Sequence, residues 1–226
     1  MVALATGLIL MTGIIQFYVS NKQTYRAIDA NSRIQENARF AMDLLSRHIH
    51  MAGYRVDTAT DPFGDFPLPN FTGHPLAAGE VIGGSATDVV IRYQADGVVE
   101  DCAGSGVIAA GTPVVVHFSL DGNNALQCQT SLGGPVSLIS RFNQLAFLYG
   151  VDTDGDGSAN CYDDAVALNA NNPTVCGVSL DTPWKEVVSL RVRFVLEAEQ
   201  NYLSVAGNQP LRKSYSTTIS FRNHLP

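Results

Sequence analysis

The sequence predicts an α+β fold in which one long N-terminal helix, spanning about residues 1–53, packs on an antiparallel β-sheet head. Three observations predict it. No proline interrupts those residues, and an apolar stripe recurs through their second half at intervals of three and four. The later chain breaks into short runs whose apolar residues alternate with polar ones, the period of a half-buried strand. The helix comes first and the strands follow, the order of an α+β domain whose helix covers the apolar face of a sheet. With 226 residues and 46% hydrophobic content, the chain can build one sizeable core, and a single globular head is the default.

The helix divides in two. Residues 1–20, MVALATGLILMTGIIQFYVS, carry no charge before Lys22 and read as a transmembrane or assembly helix. The run is slightly short against the roughly 20 residues a span needs, so the expectation is either a tilted, thinly inserted helix or, the reading we favour, a segment that has lost a few residues at its start. No basic region precedes it and no A-x-A site follows, which sets a secretory signal peptide aside. Residues 21–53 continue it as an amphipathic helix. Ile34, Ala38, Ala41, Leu45, Ile49 and Ala52 mark one stripe, with Arg33, Gln35, Glu36, Arg39, Asp43, Arg47 and His50 opposite, and Gly53 is placed to stop the helix. One helix of that length would reach about 80 Å. Apolar all round and then amphipathic, it suits lipid or a helix bundle first and a sheet second.

Residues 54–226 form the head. Prolines crowd between Tyr54 and Gly84, predicting a long surface loop, within which Asn70, Phe71 and Thr72 match a glycosylation acceptor pattern of low specificity. Strands are predicted where Val89, Ile91 and Tyr93 alternate with Val90, Arg92 and Gln94, over Val114 to Phe118, and where Leu145, Phe147 and Tyr149 alternate with their neighbours. The clearest strand sets Val188, Leu190, Val192, Phe194 and Leu196 against Ser189, Arg191 and Arg193, and Tyr215, Thr217, Ile219 and Phe221 repeat the pattern.

The cysteines number four, without a CxxC pair, which favours disulfides in an oxidising compartment over a zinc site. Of three possible connectivities we expect Cys102 with Cys128 and Cys161 with Cys176, since each pair brackets one loop-rich segment. A net charge of -7 and 15% charged residues exclude the basic footprint of a nucleic-acid binder.

One local motif is sharp. Asp152, Asp154 and Asp156 alternate in DTDGDGSANCYD, the spacing of a calcium loop over 152–163. Three crowded carboxylates repel one another without a cation. The expected ligands are Asp152, Asp154, Asp156, the backbone carbonyl of Ser158, Asn160 directly or through water, and Asp163 at the twelfth place, with Asp164 as a substitute. The twelfth residue is not the usual glutamate and no helix pair is predicted around it, so this would be an isolated loop rather than an EF-hand pair. An aspartate- and glycine-rich turn without metal is the plain alternative.

No GxSxG, GxGxxG, P-loop or HExxH occurs, so the common catalytic and nucleotide sites lack support, and no enzyme activity or small-molecule substrate is expected. The histidines are scattered: His48 and His50 on or near the polar side of the helix, His117 in an apolar strand, His74 and His224 in loops. Trp184 reads as packing.

Taken together, MVALATGLIL, then SNKQTYR, then SRIQENARFAMDLLSRHIHMAGYR resemble the N-terminal third of PilW-type minor pilins, strongly over residues 1–55. VDTDGDGSAN and WKEVVSLRVRFVL resemble the same family with less specificity. The resemblance implies a bacterial inner-membrane subunit with a periplasmic head, processed by a prepilin peptidase. Such a subunit joins other minor pilins and the major pilin, primes pilus assembly, and sits near the tip beneath an adhesin. The family's glutamate just ahead of the MVAL stretch has no counterpart here, so its docking role falls on no residue of this sequence. A type II secretion pseudopilin, a membrane-anchored calcium-dependent adhesin module and an unrecognised periplasmic hydrolase are the alternatives.

Overall fold

A computed structural model describes residues 2–56, 76–77, 79–102, 104, 106–170, 173–198 and 210–223. Most of the proline-rich loop, the Asn70 pattern, His74 and His224 lie outside the described residues.

Helix α1 runs unbroken over Val2–Met51. Its threonine hydroxyls bond within the helix, Thr12 Oγ1 donating to the Leu8 carbonyl at 2.8 Å and Thr24 Oγ1 to that of Ser20 at 3.0 Å. The stripe read from the sequence is the buried face, extended one turn to Ala30, with Ala38, Ala41, Leu45, Ile49 and Ala52 wholly enclosed. The four alanines let the helix lie close to the sheets. Gly53 stops it at φ 73°, a conformation that costs a residue with a Cβ. Its N–H donates to the Arg92 carbonyl at 3.0 Å, tying the helix end to the first sheet.

The strands form two main antiparallel sheets rather than one. The first is a meander of β1 (Ile82–Gly84), β2 (Val89–Gln94), β3 (Pro113–Leu120), β4 (Leu126–Thr130) and β5 (Val136–Ile139), in that spatial order. The second comprises β6 (Phe142–Val151), β7 (Cys161–Asp163), β10 (Val187–Glu197) and β11 (Arg212–Ser220), in the order β11-β10-β6-β7. A short helix α2 (Ala165–Leu168) and a hairpin of β8 (Thr174–Val175) and β9 (Val178–Ser179) lie between β7 and β10. Helix α1 packs on β11 and β10 of the second sheet and on β2 of the first, so one helix joins both.

Strand β2 departs from its expected alternation. All six residues are buried, including Arg92 and Gln94. The inner face meets the main core, while Val90 packs with Leu76 and Val115 in a separate cluster on the other side. Arg92 is tolerated there because its Nη2 donates to the carbonyls of Ala77 and Glu80. The two sheets meet at Tyr149, whose hydroxyl lies 3.2 and 3.3 Å from the carbonyls of Ser85 and Asp88, and whose ring stands edge-on to Trp184 at 4.7 Å. Phe221 falls just past β11, yet its N–H still donates to the Val188 carbonyl.

Candidate assembly surface and acidic loop

Helix α1 is buried only in its second half. Every described side chain from Thr6 to Asp29 is exposed, among them Leu8, Ile9, Met11, Ile14, Ile15, Phe17 and Tyr18, so about 36 Å of helix stands clear of the head. Phe17 is 69% exposed and Ile9 72%. These residues cover all sides of the helix, and each would gain roughly 1.5–3 kcal/mol if fully buried. Such a surface is stable only against other apolar groups. Among the described residues no helix is long and apolar enough to cross a membrane.

The acidic loop caps the far end of the second sheet. Strands β6 and β7 pair with Val151 opposite Cys161, so residues 152–160 form the connection. Asp152, 5% exposed, is its hub: Oδ1 accepts from the N–H groups of Asp154 at 3.1 Å and Gly155 at 2.8 Å, and Oδ2 from that of Gly157 at 2.7 Å. Gly155 and Gly157 supply positive φ, 76° and 82°, that wraps the backbone around this carboxylate. Burial alone would raise the Asp152 pKa, but the three donors outweigh it and hold it below the usual carboxylate range.

Oxygens of Asp152, Asp154 and Asp156 lie within 4.8 Å of one another, about the greatest separation of two ligands on one calcium ion. The other expected ligands behave differently. Asn160 bridges the loop, its Oδ1 accepting from Thr153 N at 2.7 Å and its Nδ2 donating to Asp154 Oδ2 at 3.1 Å. Ser158 donates its N–H to Asp156 Oδ1 at 2.7 Å. Asp163 stands apart from the three clustered aspartates, because the chain has already entered β7 and pairs it with Tyr149, roughly 7 Å down the ladder from the loop mouth. Asp164 is occupied as the N-cap of α2, accepting from the N–H groups of Val166 and Ala167.

Both expected disulfides are present. Cys102–Cys128, with Cα atoms 5.8 Å apart, pins the β2–β3 connection to β4. Cys161–Cys176, at 5.9 Å, joins the loop's exit to the tip of the β8–β9 hairpin, where Cys176 and Gly177 take the two positive φ values of a type I′ turn.

The family model for type IV pilus-assembly protein W matches residues 110–223. The chain belongs to the type IV pilus-assembly protein W family. It is therefore a pilus-assembly protein, associated with the type IV pilus and acting with other pilus components. The match covers the head from β3 to just past β11, including the acidic loop and the β10 strand. No curated protein and no solved structure matches the chain.

In this pilus-assembly protein one histidine sits where the sequence reading did not place it. His48 is buried, its Nδ1 3.2 Å from the Tyr93 hydroxyl and its ring 5.4 Å from that of Phe118. The spacing carried the signal: position 48 follows Leu45 by three on the apolar stripe. His50 is on the margin, its Nδ1 donating to the Ser220 carbonyl at 3.0 Å. His117 is half-buried, 4.0 Å from the Asp88 carboxylate. Trp184 packs as expected and donates through Nε1 to Asn169 Oδ1 at 2.9 Å.

Proposed function

We propose that this protein is a minor pilin: a structural and priming subunit of the type IV pilus, placed near the tip, with the free half of α1 packed among equivalent helices of neighbouring subunits. The observation that supports it most is the division of α1 into a half that anchors the head and a half whose described side chains are exposed. Before assembly, the same apolar segment would hold the subunit in the inner membrane with the head in the periplasm. An exposed apolar rod is unstable in water, and parallel packing with like helices removes it from water without altering the head.

The test is a substitution that touches only the rod. A Cβ at Gly7 would meet nothing within 4 Å, so Gly7→Asp leaves the fold intact while placing an unpaired carboxylate in the packed helices. Cells carrying Gly7→Asp should lose surface pili while Gly7→Ala restores them, with the subunit accumulating equally in both. Normal piliation with Gly7→Asp would overturn the role of the helix.

We further propose that Asp152, Asp154 and Asp156 hold a hard cation such as calcium, with Ser158 and Asn160 completing the set. The convergence of three carboxylates on one point supports this reading. The cation would relieve their repulsion and stiffen the loop that Cys161–Cys176 closes.

A further inference from the structure

Sheet edges differ sharply in length here. Strands β1, β5 and β7 end their sheets with three, four and three residues, whereas β11 exposes an edge of nine. Short edges are the usual protection against unwanted pairing, and β11 lacks it.

The hydrogen-bond parity of β11 shows which groups are available. Phe221 N–H donates to the Val188 carbonyl and Ala198 N–H to that of Leu211, so the odd-numbered residues of β11 form the ladder with β10. The even-numbered residues Arg212, Ser214, Ser216 and Thr218 therefore aim their N–H and C=O groups at the free edge. All four are exposed, and among the described residues none of these backbone groups has a protein partner. At the end of the row, the Ser220 carbonyl is taken by His50. The register with β10 runs from Ser189↔Ser220 to Glu197↔Arg212 without a bulge, so the edge is straight enough to template another strand.

Charge says what kind of strand fits. Strands β10 and β11 carry Arg191, Arg193, Arg212 and Lys213 against one acid, Glu197, in a chain whose net charge is -7. Glu197 is already held by Arg212 at 2.9 Å. Side chains on the outer face of an added strand would lie about 5 Å from Ser214, Ser216 and Thr218, with the exposed Arg193 guanidinium one strand beyond and that of Arg191 held over the Tyr162 ring at 3.8 Å while its Nε donates to Thr218 Oγ1 at 3.3 Å. On the inner face, half-buried Tyr215 and Thr217 would continue onto apolar or β-branched residues.

We propose that β11 is a docking edge that takes an extended strand from a partner protein, with acidic residues alternating with β-branched ones. The partner extends the second sheet, main-chain bonds supplying affinity and the arginines selecting for acid.

Amide hydrogen exchange of the full chain tests this, with a nine-residue peptide alternating valine and glutamate as the probe. At peptide concentrations about ten times Kd, the Ser214, Ser216 and Thr218 amides should exchange about tenfold more slowly, and the effect should weaken as ionic strength rises. The peptide with lysine for glutamate should bind at least about tenfold more weakly, and one N-methylated at alternate residues should not protect at all. Ser216→Pro removes an N–H aimed outward and should abolish protection that Ser216→Ala keeps, with the Tyr215 and Thr217 amides reporting that the inner ladder survives. No protection by the acidic peptide, equal protection by the lysine peptide, or protection that instead grows with the concentration of the chain alone, as for pairing with a second copy, would each overturn the proposal.

Discussion

Acidification should destabilise the head through one residue, His48. A histidine that ordinarily titrates near 6.5 is held here at about 4, first by burial and then by the neighbouring charge of Arg47. It faces the Tyr93 hydroxyl and the Phe118 ring; burial also pushes the Tyr93 phenol upward, so neither side chain ionises near neutrality. Between about pH 6.5 and 4 the unfolded chain binds a proton at His48 that the folded chain refuses. The unfolded state then holds more protons, so stability rises with pH across that window and falls as pH drops through it. At about 1.4 kcal/mol per pH unit the loss approaches roughly 3 kcal/mol, a large share of the 5–15 kcal/mol of an ordinary domain. The assay is urea unfolding followed by the fluorescence of Trp184, the sole tryptophan, at a series of pH values from 8 to about 4. His48→Gln keeps a partner for Tyr93 and cannot take the charge. The wild type should lose about 3 kcal/mol more than the variant over the window, and parallel pH profiles for the two would refute the reasoning.

Truncation of the helix stripe should show in the same assay: Leu45 is fully enclosed between helix and sheets, so Leu45→Ala should cost roughly 2–5 kcal/mol, and a change below about 0.5 kcal/mol would mean the helix is not docked. Removing Cys161–Cys176, which closes a separation of 15 residues, should cost about 3 kcal/mol, and removing Cys102–Cys128, with a separation of 26, somewhat more. Intact mass of the unreduced protein should show no free thiol; four would contradict both bridges. Calcium should raise the melting temperature of the wild type and leave Asp154→Ala unchanged, while a wild-type melt indifferent to calcium and chelator would remove the cation from the loop.

Sequence periodicity reached the elements whose surroundings are simple. The apolar stripe from Ile34 to Ala52 has one buried side, and β10 alternates because one face meets the core and the other water, so hydropathy reports both directly. Gly53 ends the helix within two residues of the expected place because its positive φ is a local property. The disulfide pairing followed from loops bracketed along the chain. Patterns failed where burial comes from two directions. Strand β2 reads as half-exposed, but a second cluster around Leu76 and Val90 covers its outer face, and Arg92 is admitted only because distant carbonyls receive it. His48 was placed with its polar neighbours, although a residue three past Leu45 turns inward. Asp163 keeps the spacing of a calcium ligand along the chain, but hydrogen bonds across β6 and β7 carry it away from the aspartates.

The sequence by itself determined the long helix, the strand-rich head, the disulfide partners and the crowding of Asp152, Asp154 and Asp156, because each follows from contacts between near neighbours or from a regular period. Only the tertiary structure decided that two sheets share one helix, that Asp152 is wrapped in backbone N–H groups, and that β11 is the last strand of its sheet among the described residues. Those features depend on which strands lie side by side, and strand order is set by packing between segments far apart in the chain, where local patterns carry no information.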